Sequence, residues 1–124
     1  MKNFSQNIQE KYTFSGEHID IGVAVHENNI FTDTRVSIPL STLNRHGLIT
    51  GATGTGKTKT IQKLLERLSD AGVPSVMMDI KGDISGLSMP GEYSAKLQKY
   101  IDKFGNLEWK SRGFPVDFFS LLNE

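Results

Sequence analysis

The feature that most constrains this chain is the glycine-rich run Gly51–Thr58, Gly-Ala-Thr-Gly-Thr-Gly-Lys-Thr. It satisfies the pattern G-x-x-x-x-G-K-[ST] at every fixed position, and that pattern belongs between a buried strand and the first turn of a helix. Glycine allows the backbone to make turns that other residues avoid and to approach a ligand closely. The run therefore predicts a strand–loop–helix unit and, with it, an α/β fold.

The same run has the composition of a phosphate-binding loop. Its backbone N–H groups would converge as an anion nest, and the start of the following helix adds the positive end of its dipole. By the mechanism of the motif, Lys57 reaches the β- and γ-phosphates and the Thr58 hydroxyl is a ligand of Mg²⁺. We therefore predict a nucleoside triphosphate with Mg²⁺ at this loop, with Lys57 also in a catalytic role; the loop alone does not separate ATP from GTP. The predicted nucleotide-binding residues are Gly51, Ala52, Thr53, Gly54, Thr55, Gly56, Lys57 and Thr58.

Apolar spacing predicts regular elements on both sides of the loop. Period-3.6 stripes indicate helices, and short apolar runs are typical of strands that are buried on both faces. A strand–helix–strand order favours a parallel sheet with a right-handed crossover. The predicted elements are a strand at Gly47–Thr50, a helix at Lys57–Ala71 capped by Gly72, a strand at Val73–Met78, a helix from Ser94 to Phe104 that stops at Gly105, and a strand at Phe114–Leu121.

The chain before the loop has a different pattern. Residues 1–11 are polar, and we expect them to lack regular structure. Ile19, Ile21, Val23 and Val25 alternate with other residues, which is the period of a half-buried strand. A turn at residues 27–29 and a second alternating run ending near Pro39 complete a predicted antiparallel hairpin, because asparagine tolerates positive φ and proline cannot continue a ladder.

Composition excludes several classes of protein. Lys plus Arg total 14 and Asp plus Glu total 14, so no net charge draws the chain toward nucleic acid or an anionic membrane. There is no cysteine, which excludes disulfides and thiolate metal sites in this sequence. No apolar run approaches the roughly 20 residues of a membrane helix, and the N-terminus has no apolar signal segment. We therefore expect a soluble chain in the cytoplasm.

Two segments that flank these elements carry a family resemblance. The run Asn44–Thr50 leading into the loop, and the later Asp79–Leu87, Asp-Ile-Lys-Gly-Asp-Ile-Ser-Gly-Leu, resemble the bacterial HerA-like ATPases, which are relatives of the HerA and FtsK DNA translocases. The resemblance covers roughly residues 36–91. It implies a RecA-like core, ATP hydrolysis with Mg²⁺, a ring of subunits that commonly number six, double-stranded DNA as partner, and a nuclease as a further candidate partner.

On this basis we predict a partial RecA-like P-loop core, a parallel sheet with flanking helices, preceded by a short antiparallel β segment. Residues 1–41 would form the hairpin region, and residues 42–124 the N-terminal part of the ATPase domain. The resemblance also implies a later strand that ends in Asp-Glu, and no such pair follows Thr58. Val76–Asp79 matches only its first half, because Ile80 stands where Glu is expected, and no later arginine finger is visible.

The departures from the family pattern leave three functions open. The chain is interpreted first as the N-terminal fragment of a translocating ATPase that turns over little alone. The alternatives are a nucleotide-binding regulatory module without hydrolysis, and a small phosphotransferase that uses Asp79 on a substrate hydroxyl. Asp79 follows a predicted strand together with Lys81 and Asp83. Such a cluster suits contact with Mg²⁺-bound water, as a catalytic Asp79 requires, or is simply a solvated polar loop.

Overall fold

The computed structural model describes residues 3–104 and 110–120 of the chain. Single turns of 3₁₀ helix occupy Leu40–Thr42 and Ser85–Ser88. The longer elements, in chain order, are helix α1 (Phe4–Tyr12), strands β1 (His18–His26) and β2 (Asn29–Pro39), and helices α2 (Lys57–Asp70) and α3 (Ala95–Lys103).

The predicted hairpin is confirmed by β1 and β2, which pair antiparallel. His26 faces Asn29 across a two-residue turn in which Glu27 has φ 49° and Asn28 has φ 63°. A two-residue turn with positive φ at both positions matches the natural twist of a hairpin. The second strand ends at Pro39, where the missing N–H prevents continuation of the ladder.

The hairpin register is interrupted where the small core lies. Val23 faces Arg35, but the next residue, Ala24, faces Phe31, so residues 32–34 of β2 have no partner on β1. Such bulges increase strand twist and redirect side chains. Among the described residues, the buried side chains are those of Ile19, Ala24, Thr34 and Ser37. The core is therefore confined to the hairpin and what packs on it.

The expectation that residues 1–11 lack regular structure is wrong, because α1 begins at Phe4. The Asn3 side chain accepts a hydrogen bond from the Gln6 N–H at 2.9 Å, and the Gln6 side chain accepts one from the Asn3 N–H at 3.1 Å. This reciprocal capping box satisfies two N–H groups that a helix start leaves open. The Phe4 ring stacks on His26 at 4.4 Å and lies 5.4 Å from Phe31, which holds the helix on the hairpin.

A hydroxyl pair attaches α1 to β2 and supports a stability prediction. Thr34 is 1% exposed, and its hydroxyl oxygen lies 2.6 Å from that of Ser5. We expect Thr34→Val, which keeps the shape but removes the hydroxyl, to lower the free energy of unfolding by about 1 kcal/mol. Urea denaturation measures this loss. In a Ser5→Ala background, Thr34→Val should lower the free energy of unfolding by less than it does alone. Equal losses in the two backgrounds would contradict the pairing of the hydroxyls.

The predicted parallel sheet is not present in the described part of the chain. Within residues 3–104 and 110–120, β1 and β2 are the hydrogen-bonded strands, and the segments 47–50, 73–78 and 114–120 do not pair; Leu121 lies outside the described residues. Leu48, Val76 and Met78 are 87%, 99% and 87% exposed. A strand of a parallel sheet is stable with neighbours at its edges and helices over its faces. These segments have no such neighbours, so the RecA-like core stays a prediction.

The predicted helices after the loop are confirmed with small changes at their ends. Helix α2 ends at Asp70 with Ala71 as its C-cap residue, and Gly72 follows at φ 71°. The Gly72 N–H bonds the Ser69 carbonyl at 3.0 Å and the Val73 N–H bonds the Leu68 carbonyl at 2.9 Å, which is a Schellman ending. Helix α2 contacts β1, so the helix packs against the hairpin.

Helix α3 begins as its sequence predicts. The Ser94 side chain accepts a hydrogen bond from the Leu97 N–H at 3.2 Å, which caps the first turn. The helix ends at Lys103 with Phe104 as its C-cap residue. The predicted stop at Gly105 lies outside the described residues.

The segment 110–114 is fastened to the end of α2 and to the preceding loop. The Arg112 guanidinium pairs with the Asp70 carboxylate and lies over the Phe114 ring, 4.4 Å from its centroid. The Phe114 N–H donates to the Leu87 carbonyl at 2.8 Å. Gly113 is close enough to the Ser88 carbonyl that a Cβ there would overlap it. This packing gives the segment a defined place without strand pairing.

Candidate phosphate-binding site

The loop Gly51–Gly56 reaches the N-terminus of α2 through two left-handed glycines. Gly54 has φ 80° and Gly56, the N-cap of α2, has φ 99°. Residues with a Cβ adopt this region only under strain, so the course of the loop requires glycine at both positions. The Gly56 carbonyl accepts the Thr60 N–H at 2.9 Å, which starts the helix directly after the loop.

Gly51 is required for a different reason, which is close packing. A Cβ at this position would lie 2.6 Å from the Thr55 hydroxyl oxygen. That hydroxyl donates to the Ala52 carbonyl at 2.7 Å, which closes the loop on itself. The absence of a side chain at Gly51 therefore allows Thr55 to complete the turn.

The Lys57 side chain folds back over the loop. Its ammonium donates to the Gly51 carbonyl and to the Ala52 carbonyl, each at 2.8 Å. An ammonium has three N–H donors, so one remains for a further acceptor such as a phosphate oxygen. The positive charge is thus held at the start of the loop by two of its own backbone carbonyls.

All eight predicted site residues lie in one continuous loop and helix start. Thr58 is half-buried in the first turn of α2, while Thr53 and Gly54 are exposed at the loop tip. The first N–H groups of a helix have no partner within it, so they are free to face an anion. Among the described residues, no group of three or more His, Cys, Asp or Glu side chains is arranged to hold a metal ion. The role of Thr58 as a ligand of Mg²⁺ stays a prediction.

The structure gives the Asp79 carboxylate a role that the sequence pattern does not show. One of its oxygens accepts the N–H groups of Lys81 and Gly82 at 3.2 and 3.0 Å, and the other accepts the Ile84 N–H at 2.8 Å. These bonds, with Gly82 at φ 75°, shape residues 79–84 into a tight turn, the Asp79 loop. Asp79 thus organises the loop in which it lies.

The same hydrogen bonds change the acidity of Asp79. The hydrogen bond from the Ile84 N–H lowers the pKa of the Asp79 carboxyl, because it favours the charged form. Partial desolvation opposes this effect, while the backbone N–H groups of Lys81, Gly82 and Asp83 lower the pKa further. The carboxylate is therefore a weaker base than an ordinary aspartate.

This lowered pKa predicts an acid-sensitive loop. The folded-state pKa of Asp79 lies below the ordinary value of 3.8. The stability that the carboxylate gives the loop is therefore complete above pH 3.8, and it is lost as the pH falls through the folded-state pKa. We expect the NMR amide shifts of Gly82 and Ile84 to report a single transition below pH 3.8. Asp79→Asn should abolish the transition, whereas a midpoint above the ordinary value would contradict the assignment.

A contact across the chain links the Asp79 loop to α2. The Gln62 side-chain amide donates to the Asp83 carbonyl at 3.0 Å and accepts from the Lys59 ammonium at 2.8 Å. Sequence reasoning missed Gln62, since its partner lies 21 residues further along the chain and no local pattern signals the contact. The loop and the helix that begins at the phosphate-binding motif are therefore joined directly.

Together these features define a chain of mixed helix and antiparallel strand, with a glycine-rich loop that leads directly into the N-terminus of helix α2. The sequence model of the family described as "Helicase HerA-like C-terminal" matches residues 25–124, and the chain belongs to this family. The predicted HerA-like resemblance is thereby confirmed, and it relates the chain to HerA-type helicases. No curated protein and no solved structure matches the chain.

The match begins at Val25, inside β1, so it includes the second strand of the hairpin as well as the loop, α2 and α3, and α1 lies before it. The division at residues 41 and 42 stays a prediction. Within the described residues, no helix is both long enough and apolar enough to cross a membrane.

Proposed function

We propose that residues 51–58 bind ATP with Mg²⁺, and that this chain supplies the nucleotide site of a HerA-like, DNA-translocating ATPase. The observation that carries the proposal is the complete phosphate-binding motif at the start of α2, with Gly54 and Gly56 in the left-handed conformation it needs. Membership of the helicase HerA-like family supports it. The role of the site residues rests on the chemistry of the motif.

The residues of the loop fit this nucleotide. The α2 N-terminus and the Lys57 ammonium supply positive charge and N–H donors for the phosphates of a nucleoside triphosphate. Mg²⁺ keeps several waters and takes few protein oxygens besides the phosphates, so a single threonine hydroxyl at Thr58 is a sufficient donor. When bound, Mg²⁺ would neutralise charge on the β- and γ-phosphates. The sequence has no Asn/Thr-Lys-x-Asp guanine motif, which favours ATP over GTP.

The partners of the proposed motor are double-stranded DNA and further copies of the chain in a ring, with a hexamer as the proposed size. Family membership supports this proposal. Because the formal net charge is zero, DNA contact would depend on local groups or on surfaces that the ring creates. A nuclease is proposed as a further partner on the same grounds.

The state of Asp79 distinguishes the candidate activities. A phosphotransferase that uses Asp79 as a base needs a carboxylate with free lone pairs and ordinary or raised basicity. Instead, three backbone N–H groups occupy its oxygens, and its pKa is lowered. This favours a role for Asp79 as a fixed negative charge over a role as a base, and it argues against the phosphotransferase.

Calorimetric titration of the chain tests the proposal. Mg·ATP and Mg·ADP should bind with a stoichiometry of one per chain, and AMP should bind much more weakly because it lacks the phosphates that the loop holds. GTP should compete less well than ATP. Failure of Mg·ATP and Mg·ADP to bind would overturn the proposal.

Phosphate release with and without duplex DNA then separates the activities. DNA-stimulated release supports the motor, whereas binding without release in either condition supports the regulatory alternative. Transfer of the γ-phosphate to an added alcohol would support the phosphotransferase.

A further inference from the structure

The side chain of Gln62 forms a bridge whose orientation is fixed by its two partners. The Lys59 ammonium is only a donor and the Asp83 carbonyl is only an acceptor, so the amide oxygen must face Lys59 and the amide nitrogen must face Asp83. The two contacts are 2.8 and 3.0 Å long. Gln62 is half-buried, which further restricts its rotation. The bridge therefore has one defined geometry.

The partner of this bridge is a loop that behaves as one unit. The Asp79 carboxylate accepts three backbone N–H groups within residues 81–84, and the Ser85 hydroxyl donates to the Gly82 carbonyl at 2.7 Å. Each of these bonds ties one part of the loop to another. A hydrogen bond at the Asp83 carbonyl therefore restrains the whole loop, including the Asp79 carboxylate.

The attachment point lies near the phosphate-binding end of α2. Gln62 follows Thr58 by four residues, which is about 6 Å along the helix axis. Residues 71–78 leave α2 at its opposite end, and the chain must return along the helix for Asp83 to meet Gln62. The bridge thus holds the Asp79 loop beside the first turns of α2.

We propose that Gln62 is a positioning residue of the nucleotide site: it holds the Asp79 loop against α2 and so keeps the negative charge of the Asp79 carboxylate beside the end of α2 where Mg·ATP would bind. The nucleotide part of this inference rests on the proposed function, whereas the attachment of the loop is a property of the chain alone. A fixed carboxylate attracts the cation and repels bare phosphate. Gln62 therefore raises the affinity for Mg·ATP relative to metal-free ATP.

Two substitutions remove the bridge in different ways. Gln62→Met keeps the length of the side chain and removes both the donor and the acceptor. Gln62→Glu keeps an acceptor for Lys59 but cannot donate to the Asp83 carbonyl. Lys63→Met is the control, since it removes a lysine charge from the same helix and leaves both contacts of Gln62 in place. All the introduced residues are good helix formers, so α2 should persist in each variant.

The first measurement needs no nucleotide. Amide hydrogen exchange at Gly82 and Ile84 should be about threefold to tenfold faster in both Gln62 variants, the change that one net hydrogen bond supports. The exchange rates should be unchanged in Lys63→Met. Unchanged exchange in the Gln62 variants would overturn the inference whatever the nucleotide data show.

The second measurement compares the affinities for Mg·ATP and for ATP in excess EDTA. The ratio of the two affinities should fall about threefold to tenfold in Gln62→Met, which adds no charge, and stay at the wild-type value in Lys63→Met. Faster amide exchange in the loop with an unchanged ratio of affinities would overturn the positioning role. Mg·ATP binding, and with it the proposed function, would be unaffected by that result. No binding of either form by the wild-type chain would overturn both.

Discussion

Lys57→Met is expected to weaken Mg·ATP binding by about 10- to 150-fold, which corresponds to the roughly 1.5–3 kcal/mol of a hydrogen bond to a charged group. The ammonium lies over the loop, held by the Gly51 and Ala52 carbonyls at 2.8 Å each, and has one donor left for phosphate. Methionine keeps much of the side-chain length but brings no charge. Calorimetric titration of wild type and variant measures the difference.

Lys63→Met is the control for this prediction, because it removes the same charge from the same helix. Lys63 is 40% exposed and pairs with Glu66 at 3.7 Å, in the next turn of α2 and away from the loop. Its affinity for Mg·ATP should equal that of wild type. If the two lysine variants bind equally well, Lys57 does not contact the phosphates and the assignment of the loop fails.

Gly51→Ala is expected to weaken Mg·ATP binding about threefold to tenfold through the loop's own packing. The new Cβ would lie 2.6 Å from the Thr55 hydroxyl oxygen, so Thr55 must rotate and give up its hydrogen bond to the Ala52 carbonyl. Loss of one such bond, with the loop displaced from its binding shape, corresponds to that change in affinity. The same titration measures it.

Thr55→Ala provides the partner for a double-mutant cycle. It removes the hydroxyl with which the new methyl would collide, and leaves the Thr55 Cβ, which would lie 3.6 Å from that methyl, an ordinary contact. Gly51→Ala should therefore weaken Mg·ATP binding less in the Thr55→Ala background than alone, because the effects of substitutions at residues in contact are not additive. Equal costs in the two backgrounds would show that Gly51 acts through its backbone conformation and not through close packing.

Local signals in the sequence were sufficient for the hairpin and the two later helices. The turn residues Glu27 and Asn28, the Gly72 ending of α2 and the Ser94 cap of α3 each act on neighbours within a few residues. Such features need no distant partner, so a pattern can predict them. The missed helix α1 had the same kind of signal, in the reciprocal bonds of Asn3 and Gln6. Its polar composition concealed that signal.

The parallel strands could not be read in the same way. Val73–Met78 has the composition of a buried strand, yet Val76 is 99% exposed. Strand pairing depends on neighbours that are distant in sequence, and a parallel pair also needs a crossover and covering helices. An apolar run indicates that a segment is stable when it is buried. It does not specify which strands and helices bury it.

The sequence by itself determined the family, the glycine-rich motif and the position of that motif at a helix start, because these are properties of the order of residues along the chain. The tertiary structure alone decided which residue of α2 the Asp79 loop meets. The Gln62 side chain donates to the Asp83 carbonyl, 21 residues further along the chain. Hydrogen bonds between distant residues depend on how the chain is folded, and no local pattern encodes them.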